Sequence, residues 1–305
     1  MTRKRGSTFD AKSEELFSDL PGGVADAILT FSPAHRVLWT QTKARLIESY
    51  IRLFLLVTRH GVYLDAFAGP QNIEHPDKWA AKLVANLQPD YLNHMFMCDF
   101  DAEKCEMTRQ MLTELAPLRS GKKRRTKHHV YPGDCNVWID TVLASGTIKP
   151  TTAVFCLLDQ RTHEAHWETV RKLATFKKEG HKIEIFYFLA TSWLPRVLAS
   201  RTDTGVLDRW WGGSGWTMLK GIQSADVAAI FCNRFRDELG YKLVYDWPIL
   251  KEGSSGQEMY RMIHATDHPR APMLMHNAYQ IASGLDSRTD EQISLDLGFR
   301  DITSA

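Results

Sequence analysis

The chain has 305 residues, of which 44% are hydrophobic and 24% are charged, so it can bury a full core and is not disordered overall. Its 38 Lys and Arg residues against 36 Asp and Glu residues leave a net charge of +2, which argues against non-specific nucleic-acid or membrane binding over the whole surface. No apolar run reaches the ~20 residues of a membrane helix, and no apolar stretch follows the basic N-terminus, so neither a membrane span nor a secretory signal is expected.

The first predicted element is a long amphipathic helix behind a polar, Gly-containing segment. Ser32-Pro33 has the pattern of an N-cap followed by proline at the first helical position. From Trp39 onward, apolar residues recur at helical spacing to about Thr58. Residues 1–58 are therefore expected to form an N-terminal extension whose helix packs on the rest of the protein.

From Gly61, short apolar runs alternate with amphipathic segments, which predicts an α/β fold with a mostly parallel sheet and helices on both faces. Seven strands are predicted, at Val62–Phe67, His94–Asp99, His128–Tyr131, Ala153–Asp159, Lys182–Ala190, Lys242–Ile249 and Glu258–Ala265. Helices are predicted at Lys78–Leu87, Ala102–Leu115, Val137–Ala144, Glu164–Phe176 and Ala225–Leu239. The last two strands have no helix between them, which indicates an antiparallel pair. The α/β domain is expected to span residues 59–283, followed by a tail over 284–305.

The cysteines do not have the spacing of a structural site. All five are scattered and none forms a C-x-x-C pair: Cys98, Cys105, Cys135, Cys156 and Cys232. Most lie in apolar runs, where cysteine is usually a small buried hydrophobic residue, so neither a disulfide scaffold nor a zinc knuckle is predicted. Reduced cysteines are typical of the cytoplasm. The histidine pairs lack an evident third ligand, so no metal site is predicted either.

The first two strand ends carry candidate ligand-binding residues, because open parallel sheets bind ligands at the carboxyl ends of their strands. The small-residue turn Asp65–Pro70 lets backbone N–H groups approach a ligand, although its one glycine does not make a G-x-G-x-x-G fingerprint and an ordinary turn is an equal alternative. Asp99 stands where a carboxylate can accept hydrogen bonds from two ribose hydroxyls. Asp101 stands where the next helix needs an N-cap.

The next two strand ends add further polar candidates. Asp134 either accepts a hydrogen bond from an adenine amino group or caps the following helix, with equal weight for both. Asp159 and Gln160 lie where a reacting group would sit, and Asp159 is the candidate to orient or deprotonate a nucleophile. A carboxylate that merely caps a loop is the alternative for Asp159.

Two other segments suggest contacts with nucleic acid, but each has a simpler explanation. The Gly- and Trp-rich segment Arg201–Gly221, predicted as a loop, either stacks its indoles on a base or fills a hydrophobic gap, and the second is favoured. The basic run Gly121–His129 precedes the third strand, which places it away from the carboxyl edge of the sheet. A solvated loop is therefore the favoured interpretation of that run.

The octet Tyr63–Pro70 (YLDAFAGP) closely resembles the Y-[IL]-D-x-F-A-G-P-G signature of the three-Cys-motif partner proteins, TcmP, which are similar to class I S-adenosylmethionine-dependent methyltransferases. Upstream, Trp39 and Lys43 resemble the family's W-x3-K segment, and Met262–Pro269 resembles its F-A-S-x-H-P strand. The resemblance covers roughly residues 33–283.

This resemblance implies a Rossmann-like class I methyltransferase fold, S-adenosyl-L-methionine as cofactor, and methyl transfer to an acceptor for which nucleic acid is one candidate. It also implies a three-Cys-motif protein as partner. The predicted cofactor-binding residues are Asp65, Ala66, Phe67, Gly69, Pro70, Asp99, Phe100, Asp134 and Cys135, and the predicted catalytic residues are Asp159 and Gln160. The chain differs from the family at Gln71, where a second glycine is usual, and at Asp159–Thr162, where relatives have D-P-[FY]-G. These differences favour, as an alternative, a catalytically degenerate scaffold that acts through a protein partner.

Overall fold

The computed structural model describes residues 38–40, 42–200, 204–251 and 256–284, together with residue 292. The predicted helix start at Ser32-Pro33 lies outside these residues. So does the predicted C-terminal tail, apart from residues 284 and 292. In the described part of the chain, no helix is long and apolar enough to cross a membrane.

The described chain forms eight strands connected largely by helices. The strands are β1 (Leu38–Trp39), β2 (Gly61–Asp65), β3 (Leu92–Asp99), β4 (Lys127–Pro132), β5 (Val154–Leu158), β6 (Glu184–Leu189), β7 (Leu243–Leu250) and β8 (Glu258–Thr266). The α-helices are α1 (Lys43–Thr58), α2 (Ala80–Ala85), α3 (Ala102–Thr113), α4 (Cys135–Ala144), α5 (Trp167–Phe176), α6 (Leu194–Ser200), α7 (Gly205–Trp211), α8 (Ser224–Asp237) and α9 (Ala271–Ala282). Short 3₁₀ turns occupy Pro76–Lys78 and Ser214–Leu219.

All eight strands belong to one sheet in the order β1-β7-β8-β6-β5-β2-β3-β4. Strands β2 to β6 pair in parallel, whereas β8 lies antiparallel between β6 and β7. This confirms the α/β class, the seven predicted strands and the antiparallel pairing of the last two. Counted from β2, the order is that of the Rossmann-like class I methyltransferase fold, in which the chain reverses direction across the sheet between β2 and β5.

The long first helix begins later than the sequence predicts. Leu38–Trp39, expected to be helical, forms strand β1 and pairs in parallel with Ile249 and Leu250 of β7. This pairing covers the last two residues of β7, so strand pairing there prevails over helical periodicity. Helix α1 starts at Lys43 and ends at Thr58, as predicted. The residue that follows, Arg59, adopts a left-handed backbone conformation with φ of 59°.

The sheet is buried on both faces, which explains why its strands read as continuous apolar runs. Alternate residues of β2 point to opposite sides: Val62 and Leu64 pack with α4, α5, α7 and α8, while Tyr63 packs with α1, α2 and α9. All five cysteines are buried and free, which confirms the prediction that they serve as small hydrophobic residues.

The Trp-rich segment is not a loop. It contains α7 and a 3₁₀ turn, and its indoles are buried: Trp210 is 0% exposed and Trp216 4%. Trp210 donates to the hydroxyl of Tyr187 at 2.8 Å. The prediction of a loop was wrong because the segment contains several glycines, which are typical of loops. One of them, Gly212, ends α7 with a left-handed φ of 85°. These tryptophans fill the core, as the favoured alternative predicted, and do not stack on a ligand.

Candidate functional site

The candidate site lies at the carboxyl edge of the sheet, where β5, β2 and β3 are neighbours. Their ends bring together Asp159, Asp65 and Asp99, whose negative charges act on one another. The first two line a cavity of about 20 Å³, whose other walls include Lys43 and Gln71. The three carboxylates predicted from separate motifs thus converge at the switch point of the sheet, where open α/β folds bind ligands.

Asp65 is the most deeply buried of the three carboxylates, with 1% of its surface exposed. It accepts hydrogen bonds from the Tyr63 hydroxyl at 3.0 Å and from the Phe67 amide at 3.1 Å. Burial raises the pKa of Asp65 to about 7, although both hydrogen bonds act in the opposite direction. The side chain therefore changes charge close to neutral pH, and a cation bound beside it would favour the ionised form.

Replacing Asp65 with asparagine is expected to remove a pH dependence of stability. Because its folded pKa of about 7 exceeds the ordinary value of 3.8, the folded state keeps a proton that the unfolded state releases, so stability falls as pH rises through this window. Between about pH 4 and pH 8, Asp65→Asn should gain up to about 4 kcal/mol relative to wild type in urea unfolding. Parallel stability curves for the two proteins would contradict the assignment.

The turn after β2 is held by the neighbouring strands. The amides of Ala66 and Ala68 donate to the carbonyls of Leu157 and Cys98, at 3.1 and 2.8 Å. The Phe67 amide is likewise bonded to Asp65, so the N–H groups of Ala66, Phe67 and Ala68 are already paired within the protein. Pro70, which is buried, has no N–H group. Polar recognition at this edge therefore depends on side chains more than on the backbone of the turn.

Gly69 and Asp99 form one unit. The Gly69 amide donates to Asp99 Oδ2 at 3.0 Å, and the Asp101 amide donates to Asp99 Oδ1 at 3.0 Å. A Cβ at position 69 would lie 2.5 Å from Asp99 Oδ2 and 2.6 Å from Lys104 Cβ, so only glycine allows this approach. The two amides fix the orientation of a carboxylate that remains partly exposed at the edge.

Two predicted caps are observed in the structure. Asp101 accepts from the amides of Glu103 and Lys104 at the start of α3, which confirms its predicted role as an N-cap. Asp134 accepts from the Asn136 amide at 2.8 Å and caps α4, the second of the two interpretations weighed for it. Asp134 itself is exposed, so the cap does not enclose its carboxylate.

Phe100 and Cys135 lie at the same edge but in different environments. Phe100, directly after Asp99, leaves 83% of its ring exposed, although a large apolar ring is usually buried. Cys135, the first residue of α4, is 5% exposed, and burial raises the pKa of its thiol to about 12. Among these neighbours, Phe100 offers a free face for stacking, whereas Cys135 is a packing residue.

Asp159 is paired with a lysine that motif analysis did not assign to the site. Lys43 Nζ lies 2.9 Å from Asp159 Oδ1 and 2.8 Å from Oδ2, and both residues are 8% exposed. Gln71 Nε2 adds a longer hydrogen bond of 3.3 Å to Oδ2. The ammonium also lies 5.0 Å from the ring centre of Phe188 and 5.5 Å from that of Tyr260. The first turn of α1 thus supplies a cation to the end of β5.

Gln160 points away from this cluster. Its Nε2 donates to the carbonyl of Phe188 at 3.1 Å, and its Oε1 accepts from the amide of Ala165 at 3.0 Å. The side chain is 0% exposed. In this position Gln160 ties the segment after β5 to β6, and so it fixes the backbone that carries Asp159.

The residues present fit an adenosyl amino acid in chemical type. The partly exposed Asp99 carboxylate and the exposed Phe100 ring suit a ribose and a flat base, while Lys43 and Asp65 suit the carboxylate and ammonium of an amino acid. The cavity of about 20 Å³ at the amino-acid end is much smaller than such a group. Lys43 and Asp159 both line this cavity, so a ligand carboxylate that enters it would compete with Asp159 for the Lys43 ammonium.

Comparison with known proteins finds similarity in structure only. No protein-family model matches the chain, and no curated protein matches it. Solved structures with similar shape include Trm1 from Pyrococcus horikoshii with S-adenosyl-L-methionine, at 13% identity and a TM-score of 0.40 over 76% of this chain and 57% of that one. M. jannaschii TYW2 in complex with AdoMet has 11% identity and a TM-score of 0.36 over 73% of this chain and 75% of that one. Spermidine synthase from Thermotoga maritima has 11% identity and a TM-score of 0.38 over 81% of this chain and 66% of that one. The chain spans little more than half of the Trm1 chain, and similarity at these TM-scores does not bear on function.

Proposed function

We propose that the chain binds S-adenosyl-L-methionine at the carboxyl edge of its sheet and is a methyltransferase of the TcmP type. The observation that carries this proposal is the Asp99 carboxylate, which two amides orient at the end of the second core strand beside the exposed Phe100. A carboxylate in this place of an open parallel sheet is suited to a pair of ribose hydroxyls.

The side chains divide the work of binding between them. Asp99 and Phe100 hold the nucleoside end, Lys43 pairs with the carboxylate of the amino-acid end, and Asp65 pairs with its ammonium. S-adenosylmethionine supplies an already activated methyl group, so the protein chiefly aligns the reactants and excludes water. When Lys43 turns to the ligand carboxylate, Asp159 loses its ion-pair partner, keeps the hydrogen bond from Gln71, and can orient or deprotonate the acceptor.

Calorimetric titration with S-adenosylmethionine tests the proposal directly. Asp99→Ala is expected to weaken binding by about 1–3 kcal/mol, roughly 5- to 150-fold, because hydrogen bonds to a charged group are lost. The matched control is Asp101→Ala, which removes an exposed carboxylate two residues away. Loss of that N-cap should lower stability by about 1 kcal/mol but leave affinity unchanged. Equal effects of both variants on affinity, or none, would remove Asp99 from the site.

A scaffold that does not catalyse transfer is the second candidate function. It is favoured by the Lys43–Asp159 ion pair, with which a ligand carboxylate would have to compete, and by the internal hydrogen bonds of the turn amides. Under this alternative, the fold serves assembly with a protein partner, for which the family resemblance suggests a three-Cys-motif protein. Incubation with labelled S-adenosylmethionine separates the candidates: binding without transfer to DNA, RNA or protein favours the scaffold. The absence of any binding would count against both.

A further inference from the structure

A large cavity lies further along the same edge of the sheet, beyond the end of β6. Its volume is about 710 Å³, within the range of pockets that bind small organic groups. Apolar side chains of α6 and of the segment before α8 form much of its wall, among them Leu194, Leu198, Leu219 and Ile222. None of the residues assigned above to the cofactor lines this cavity.

Two residues of this cavity lie close along β6 and β8 to the rings that surround the Lys43 ammonium. The cavity floor contains Thr191 and Glu258, which are joined by a hydrogen bond of 2.8 Å. Thr191 lies three residues after Phe188, and Glu258 lies two residues before Tyr260. The rings of Phe188 and Tyr260 are the two that lie near the Lys43 ammonium. A group held in the cavity would therefore sit one strand away from Asp159, on the side of the site opposite to Asp99.

The polar groups of the cavity suit a flat heterocycle. Ser192, which lines it, has a buried hydroxyl with no hydrogen-bond partner among the described residues. Buried hydroxyls are rarely left unpaired, so this group has spare hydrogen-bonding capacity beside the cavity. The Glu258 carboxylate lies at the same side and is neutralised by Arg261 at 3.0 Å. Other hydrogen-bonding side chains of the lining include Thr191, Gln223 and Ser224. Apolar walls together with several hydrogen-bonding groups suit an unstacked base, which has two flat faces and a polar edge.

The surface beside the cavity carries an aromatic ring and cations. Trp193, between two residues that line the cavity, is 43% exposed although indoles are mostly buried. The Arg196 guanidinium lies 4.4 Å from the centre of its ring, and Lys220 is an exposed cation on the opposite wall. Aromatic rings beside cations are the usual combination for stacking bases and pairing with a phosphate backbone.

We propose that this cavity receives a nucleobase of single-stranded nucleic acid, whose backbone passes over Trp193, Arg196 and Lys220. This assignment names the acceptor class for the proposed methyltransferase and rests on that function for its purpose. The basic run Gly121–His129 lies outside this surface, because it precedes β4 and so lies at the amino edge of the sheet.

The test is fluorescence anisotropy of the full chain with labelled mixed-sequence single-stranded DNA and RNA oligonucleotides. Wild type should bind at least one of them. Trp193→Ala should weaken binding about 5- to 150-fold, since stacking on one base contributes ~1–3 kcal/mol, and Trp193→Phe should restore most of it. Ala199→Trp, which adds an indole at an exposed position of the cavity wall, should weaken binding to a similar degree.

Two lysine variants test the charge contribution, and a separate titration with S-adenosylmethionine tests the proposed function. Lys220→Ala should weaken binding and reduce its salt dependence, whereas Lys122→Ala, an exposed lysine of the basic run, should have no effect. Equal effects of the two lysine variants, unchanged binding by Trp193→Ala, or no binding of either oligonucleotide by wild type would overturn the assignment. S-adenosylmethionine binding, measured separately, identifies failure of the proposed function, because oligonucleotide binding does not depend on it.

Discussion

Replacing Lys43 with methionine is expected to lower the free energy of unfolding by about 3–5 kcal/mol. Methionine preserves most of the length of the side chain but removes the ammonium that lies 2.8 Å from Asp159. Among the described residues, Asp159, which is 8% exposed, then keeps only the hydrogen bond from Gln71 at 3.3 Å. Removing one partner of a buried ion pair leaves an uncompensated charge in a medium that solvates it poorly, and this penalty dominates the effect. Urea unfolding of the two proteins measures it.

The double variant Lys43→Met/Asp159→Leu is the matched control. Exchange of a whole buried pair for apolar residues is often neutral or stabilising, so the double variant should recover most of the stability that the single variant loses. A single variant as stable as wild type would show that Asp159 does not need the ammonium. A double variant as unstable as the single one would show that the loss comes from packing of the lysine stem.

The same variants test the amino-acid end of the proposed cofactor site. S-adenosylmethionine carries an amino-acid group that 5′-methylthioadenosine lacks, while both contain the adenosyl part. The double variant should therefore lose affinity for S-adenosylmethionine and keep its affinity for 5′-methylthioadenosine. An equal loss for both ligands would place Lys43 outside the amino-acid subsite, although the role of Asp99 at the nucleoside end would be unaffected.

Much of the fold could be predicted because the sheet is buried on both faces. Strands such as Val154–Leu158 have no solvent-facing positions, so they read as short apolar runs between amphipathic helices. The errors occur where tertiary contacts override local pattern. Strand β1 is set by its pairing with the end of β7, and α7 was missed because the glycines in and around it resemble those of a loop. Neither pairing nor packing of this kind is visible in residue spacing.

The candidate site was predictable only as far as strand ends reveal it. Asp65 lies near the end of a predicted strand, and Asp99 and Asp159 are the last residues of theirs. Parallel topology is enough to bring such residues to one edge. The side chains that pair with these carboxylates could not be predicted in this way. The Lys43–Asp159 pair joins residues 116 positions apart, and no periodicity connects them. The exposure of Trp193 was not predicted for a related reason, because it depends on how the neighbouring helix α6 packs.

Glu184 is a further residue that the sequence analysis did not identify, because it lies at the start of an apolar strand. The structure buries it to 4% exposure in a network with Tyr50 of α1 and with two residues of β8. His264 Nε2 lies 2.7 Å from Glu184 Oε1, and the Thr266 hydroxyl donates to Oε2 at 3.0 Å. Burial raises the pKa of Glu184, but the hydrogen bond and charge of His264 reverse this effect, so the net pKa is lowered.

Glu184→Ala is therefore expected to destabilise the protein by about 3–5 kcal/mol, since it leaves a tyrosine, a histidine and a threonine buried without their acceptor. Tyr50→Phe, which removes a single donor from the same network, should lose only about 1 kcal/mol. Because the folded pKa of Glu184 is depressed, its contribution is present above the ordinary value of 4.5 and is lost as pH falls through the folded value. The stability difference between wild type and Glu184→Gln should accordingly shrink in acid. A difference that stays constant from neutral pH into acid would mean that the Glu184 carboxylate does not hold its charge in this network, and that the charge of Glu184 does not help to anchor α1 to the sheet.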